Sequence, residues 1–228
     1  MRRSRILALA VSAALGVAGG VAGATVTGDA DQPDPLGLGV PLVNQPCTGL
    51  SLLITAWGTT PDALAPAVAN DSAHTRYLEV AGSCPAAWKQ NGTRTDGYIS
   101  YLGPYPSVAG ACRSRMTGAH RGDPVVKLDR GSQMQVPCLC YIDSAQNPEL
   151  TPDTVVDAEK GIYVRALQEL LTEGGLNPPG HVSGSYDPET VQQIRTFQRD
   201  KASLPVTGTV DTATWKALVG RICHLYGG

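Results

Sequence analysis

Val182-Ser183-Gly184-Ser185-Tyr186-Asp187-Pro188-Glu189-Thr190-Val191 and Val206-Thr207-Gly208-Thr209-Val210-Asp211-Thr212-Ala213-Thr214-Trp215 are two copies of one pattern. Each reads apolar, hydroxyl, Gly, hydroxyl, apolar, Asp, with a Thr three residues after the Asp. The Gly suits a tight turn that a residue with a Cβ resists. The Asp stands where a helix N-cap belongs, ready to accept the orphan backbone N–H groups of the next turn. Pro188 follows at the first helical position, where a missing N–H costs nothing. After each cap the apolar residues fall on one helix face: Val191, Ile194 and Phe197 in the first copy, Trp215, Leu218, Val219 and Ile222 in the second. Upstream, Ile162, Val164, Leu167, Leu170 and Leu171 predict a first amphipathic helix that stops at Gly174-Gly175. The result is a three-helix bundle of roughly sixty to seventy residues, near the lower size limit for a self-supporting core.

Val164-Arg165-Ala166-Leu167-Gln168-Glu169-Leu170-Leu171, then Gly184 to Thr190, then Phe197-Gln198, then Gly208 to Trp215-Lys216-Ala217-Leu218, resembles the peptidoglycan-binding domain of the first type. The resemblance covers residues 157–225. It implies a module that binds bacterial cell-wall peptidoglycan without cutting it. Asn177-Pro178-Pro179-Gly180-His181 makes the connection before the first turn longer than the family pattern. Leu167, Leu171, Ile194, Phe197, Trp215 and Leu218 are expected in the core, and Asp187 and Asp211 as caps. That leaves Ser185, Tyr186, Thr209 and His181 on the turns as candidate peptidoglycan-binding residues. A tyrosine, apolar in body and polar at its tip, suits a sugar ring or a stem peptide.

The start of the chain predicts export. Met1-Arg2-Arg3-Ser4-Arg5 is basic, residues 6–24 are apolar, and Ala22-Gly23-Ala24 fits a small-x-small cleavage site. Residues 1–24 read as a signal peptide, with Thr25 opening the mature protein and no stable membrane span after cleavage. The apolar stretch is rich in Gly and Ala, whereas a spanning helix needs about twenty more strongly apolar residues. Residues 25–46, rich in Gly, Pro and Asp, read as a flexible spacer.

Charge excludes one class of partner. Lys and Arg total 18 and Asp and Glu 20, net -2; residues 1–24 hold three Arg and no acid, so removing them leaves 15 against 20, net -5. No basic patch of the kind a nucleic-acid binder carries is present.

Cys47, Cys84, Cys112, Cys138, Cys140 and Cys223 are even in number and all follow the signal, which predicts disulfides in an exported chain. Cys223 is alone in the C-terminal module. If every cysteine pairs within the chain, Cys223 bridges to the preceding domain, with Cys138 or Cys140 the expected partner. Zinc is the competing reading of Cys138-x-Cys140, but zinc ligand pairs are usually spaced by two or more residues.

Residues 47–143 read as a second domain in the order β-α-β-β-α-β, a split βαβ (ferredoxin-like) sandwich. Strands are expected over 50–57, 79–84, 97–102 and 124–128 or 133–141. Helices are expected over 61–78 and 107–116, with Gly103-Pro104-Tyr105 a turn. Tyr98-Ile99-Ser100-Tyr101-Leu102-Gly103-Pro104-Tyr105, then Ser107 and Ala111-Cys112-Arg113-Ser114-Arg115, resembles the third strand and second helix of a SPOR domain. That resemblance implies glycan binding, with Tyr101 as the candidate contact. Residues 144–156 are expected to link the two domains. The fold class is therefore α+β: a βαββαβ, SPOR-like domain and a helical bundle (157–226), tied by disulfides.

No catalytic constellation emerges. His74, His120, His181 and His224 lack metal-ligand spacing, and neither a Gly-x-Ser-x-Gly elbow nor a phosphate loop is present. His120-Arg121-Gly122-Asp123 reads as a loop, and Asn91-Gly92-Thr93 as a turn. The expectation is a secreted or surface-retained, non-catalytic wall-binding protein without metal or cofactor. Two readings stand beside it: a peptidoglycan hydrolase with its centre in the middle domain, and an interaction or inhibitor scaffold that meets a wall-associated protein partner.

Overall fold

The computed structural model describes residues 33–84, 96–117, 123–129, 136–178 and 181–226. The segment read as a signal peptide, Asn91-Gly92-Thr93, His120-Arg121-Gly122 and residues 133–135 lie outside them. Among the described residues, no helix is long and apolar enough to cross a membrane.

The first half follows the predicted order: β1 (Ser51–Gly58), α1 (Pro61–Asn70), β2 (Arg76–Glu79), β3 (Tyr98–Tyr105), α2 (Val108–Thr117) and β4 (Val125–Lys127). The strands form one antiparallel sheet in the order β2-β3-β1-β4. Three boundaries differ from expectation. The predicted helix over 61–78 stops at Asn70, where Asp71 leaves helical geometry (φ −151°, ψ 66°); the Thr75 N–H (3.0 Å) and hydroxyl (2.6 Å) then donate to the Asp71 carbonyl. That polar turn releases Tyr77 and Leu78 into β2 rather than a helix, and the strand expected at 79–84 ends at Glu79. Gly103-Pro104 is no turn. β3 runs on to Tyr105, and the register moves from Ser51↔Tyr105 to Leu53↔Leu102, which makes a bulge there.

One sheet face carries Leu53, Leu102 and Val125 against Ala111 and Cys112 of α2. The other carries Leu52, Ile54, Ile99, Tyr101 and Val126. Val80, Cys84 and Leu128 pack on it. The chain that was expected to be a spacer runs beside β2, its apolar residues packed with Tyr77 and with Leu64 and Val68 of α1. Within residues 33–46, Val40 and Gln45 are buried, Leu42 bridges to Tyr77, and the Val43 N–H donates to the Tyr77 carbonyl at 2.7 Å. Cys47–Cys84 fastens this strap (Cα–Cα 4.9 Å). Apolar Val40 and Leu42, together with the Tyr77 hydroxyl donating to Asp34 (2.7 Å), outweigh the Gly- and Pro-rich character that suggested flexibility.

The second half contains α3 (Ala158–Glu173), α4 (Pro188–Phe197), a π-helical turn (Gln198–Ala202) and α5 (Thr212–Ile222). Their core is Val164, Leu167, Leu171, Ile194, Phe197, Trp215 and Leu218, all essentially without exposure, as the helical spacing requires. α3 ends at Gly174, as expected.

Residues 144–156 are bound along their length. Asp143 caps a 3-10 turn (Ser144–Gln146), Leu150 pairs antiparallel with Val210, and the Trp215 indole N–H donates to the Pro148 carbonyl at 2.9 Å. Met116 and Leu139 from the first half enter the helical core. Residues 32–228 accordingly form one compact unit. The cysteines pair as Cys47–Cys84, Cys112–Cys138 and Cys140–Cys223. This consumes Cys138 and Cys140 and removes the zinc reading.

Candidate binding site

The two turn units are clamped by the same device. Gln168, at the end of an Arg165-x-Leu167-Gln168 run on α3, is wholly buried. Its Oε1 accepts from the Gly184 N–H at 2.8 Å. Its Nε2 donates to Ser183 Oγ, the Ser185 carbonyl and Thr190 Oγ1, each at 3.0 Å. Gln198, ending Arg195-x-Phe197-Gln198, repeats this. Its Oε1 accepts from the Gly208 N–H at 2.9 Å, and its Nε2 donates to the Thr209 carbonyl (2.8 Å) and Thr214 Oγ1 (3.2 Å). Buried amides must find partners, and each Gln satisfies the turn while satisfying itself.

The glycines complete each unit. Gly184 and Gly208 have φ of 75° and 77°, left-handed values that favour Gly. A Cβ on Gly184 would lie 2.7 Å from Arg165 Nε, and one on Gly208 would lie 2.8 Å from Val191 Cγ1 and 3.1 Å from Arg195 Nε. The duplication therefore extends back to Arg-x-apolar-Gln on the preceding helix. The connections differ in length: Gln168 and Gly184 are 16 apart, Gln198 and Gly208 are 10 apart, so the first holds 16 − 10 = 6 extra residues. Asn177 staples that excess. Its Nδ2 donates to the His181 carbonyl at 2.6 Å and its Oδ1 accepts from Gln193 at 2.8 Å.

Both aspartates cap. Asp187 accepts from the Thr190 N–H and hydroxyl (2.8 Å each) and Ser183 Oγ (3.0 Å); Asp211 accepts from the Thr214 N–H at 2.8 Å. At Asp187 burial pushes the pKa upward, but the bonds from Thr190 and Ser183 outweigh it and the carboxyl sits below its ordinary value. At Asp211 the Thr214 N–H is the main cause of a similar lowering, against a smaller opposing effect of burial.

The candidate residues divide by position. Ser185 is exposed, and Thr209 and His181 are half-buried. His181 Nε2 lies 3.4 Å from Glu189 and 3.7 Å from Asp187. Tyr186 is only 7 % exposed, and its hydroxyl donates to the Gly208 carbonyl at 2.6 Å, tying the first turn to the second. Burial raises its pKa well above that of a free phenol. Tyr101 is fully buried; its hydroxyl donates to the Val43 carbonyl (2.9 Å) and accepts from Gln45 (2.7 Å), and burial pushes its pKa up to about 12. Neither ring offers a face to a ligand, so both expectations are corrected. An aromatic beside a tight turn reads alike as a contact or as a core anchor, and here hydrogen-bond partners inside the fold decide for the anchor.

Residues 160–218 match the family described as "Putative peptidoglycan binding domain". That match covers about a quarter of the chain and spans both turn units. The chain is also similar to an N-acetylmuramoyl-L-alanine amidase, CwlL, of Bacillus licheniformis. The two are 36% identical over 76 residues, which make up 33% of this chain and 21% of that protein. This chain thus matches about a fifth of that relative's length. No solved structure matches significantly.

Beyond the turns, the outer face of α5 forms an open trough. Ala213, Lys216, Ala217, Gly220, Arg221 and, just beyond the helix, His224 line it.

Proposed function

We propose that this chain is an exported, wall-associated protein that holds peptidoglycan and does not cleave it. The carrying observation is the match of residues 160–218 to a peptidoglycan-binding family, over the segment where two Gln-clamped turns repeat. Three disulfides agree with an oxidising destination. Ser185, Thr209 and His181, at the mouths of the turns, are the residues assigned to first contact. The covered face of the sheet argues against glycan binding there in the SPOR manner.

Co-sedimentation of the oxidised chain, residues 25–228, with purified sacculi tests this, with soluble fragments assayed in the same tubes. Pelleting without release is the expected result. A second reading is hydrolysis: a relative that shares about a fifth of its length with this chain is named an amidase, and a catalytic centre here would have to lie in the first half. Release of muropeptides or stem peptides would establish it and overturn the non-catalytic reading. A chain that stays in the supernatant would remove the wall as its ligand.

A further inference from the structure

We infer that the trough on α5 is the seat of an anionic peptide, namely the carboxylate-bearing stem peptide of peptidoglycan; this rests on the wall-binding reading above. Three observations carry it. First, Ala213, Lys216, Ala217, Gly220, Arg221 and His224 recur at helical spacing, so one exposed face holds all six. That face is open and shallow, with small residues set between cations; Ala217 is half-buried and the other five are exposed.

Second, its charges are uncommitted. α5 contains no acidic residue, and among the described residues no ion pair engages Lys216 or Arg221. The chain as a whole is net negative, so a face with only cations runs against its composition. Arginine and lysine without internal partners complement carboxylates, arginine in a two-pronged geometry.

Third, Gly220 has no reason in the fold to be glycine. A Cβ there would meet nothing within 4 Å, and no positive φ is involved. By contrast, Gly174 would strike Ile222 at 2.8 Å. Glycine inside a helix costs about 1 kcal/mol relative to alanine. The position is explained by what approaches from outside: a backbone or small methyl side chain lying against the helix. A stem peptide supplies both features, short alanyl side chains for the small residues and carboxylates for Lys216, Arg221 and His224. The trough starts at Ala213, four residues after Thr209, so the second turn and the trough are consecutive along the chain.

The test compares two sacculus preparations, both freed of covalently attached anionic polymers with hydrofluoric acid, one of them further stripped of stem peptides by an amidase. The oxidised chain is sedimented with each. Binding to the first and a loss of roughly tenfold or more on the second is expected. Gly220→Leu fills the trough without touching the core; it is expected to keep or raise Tm and to lose binding by a similar factor. Lys216→Glu with Arg221→Glu should do the same. Lys201→Glu, an exposed charge change elsewhere, should leave binding intact. Equal binding to both preparations, or unimpaired binding by Gly220→Leu, overturns the inference while leaving wall binding standing. An equal loss in Lys201→Glu overturns it too, since net charge would then govern. Loss of binding on acid treatment alone would assign the trough to phosphate-bearing wall polymers instead. If the unmodified chain binds no preparation, treated or untreated, the wall-binding reading fails first.

Discussion

Gln198 shows how much one side chain can organise. It is 1 % exposed and satisfies the Gly208 N–H, the Thr209 carbonyl and the Thr214 hydroxyl together. Gln198→Leu keeps the volume and strands those groups. A loss of about 3 kcal/mol in a urea titration is expected, since each buried unsatisfied group costs roughly 1–3 kcal/mol. Asp211 adds a pH dependence. Its folded pKa is depressed, so its contribution is present above the unfolded value of about 3.9. The contribution is lost as pH falls through the lower folded value. Asp211→Ala should therefore cost about 1 kcal/mol at neutral pH. Below about pH 3 the difference from the parent chain should shrink. Acid titrations of both proteins, followed by circular dichroism, measure that convergence.

Among the elements, the turns discriminate between kinds of glycine. Gly184→Ala forces a Cβ into a left-handed backbone against Arg165, and a destabilisation of about 1–2 kcal/mol is expected by thermal melting. The helices of the second half were legible because Leu167, Ile194, Phe197 and Trp215 recur at helical spacing and both aspartates stand in capping position. The chain order of strands and helices in the first half followed from alternation of strand and helix signals; the order of strands in the sheet did not. What was not legible has local causes. The end of α1 depended on Asp71 leaving helical backbone geometry, which no apolar spacing announces. The strap beside β2 depended on Val40 and Leu42 finding Tyr77, a contact between segments more than thirty residues apart that no periodicity announces. Of the proposed contact residues, position at the turns was legible and burial was not. Ser185, Thr209 and His181 are at the turns, but a buried tyrosine with internal partners looks in sequence like one facing solvent. Gln168 and Gln198 stood in the motif, yet their clamping role needed the helix and turn to be seen in contact.

At the scale of the whole molecule, two links join the sheet to the helices. Arg115 of α2 is fully buried and meets Glu169 of α3 through both guanidinium nitrogens, at 2.8 and 2.5 Å. Arg115→Met leaves a carboxylate in a closed interface and should cost about 3–5 kcal/mol. Adding Glu169→Leu should restore most of it, because two apolar partners replace two desolvated charges. Denaturant midpoints of the single and double variants separate these effects. The second link is Cys140–Cys223, with a sequence separation of 83. Cys140→Ser with Cys223→Ser should lower stability by about 4 kcal/mol, through the freedom returned to the unfolded chain.

That same bond changes how the molecule answers a mechanical pull. A tensile load between the sheet and α5 has two covalent routes. One runs through α3, α4 and both turns; the other crosses from Cys140 to Cys223 and returns about two turns along α5. The short route goes taut first. The intervening chain is left slack, and α3 and α4 are bypassed, so force applied at α5 cannot draw them out one after another. A tether built in this way fails at its grip or at its sheet, and the helices between are spared.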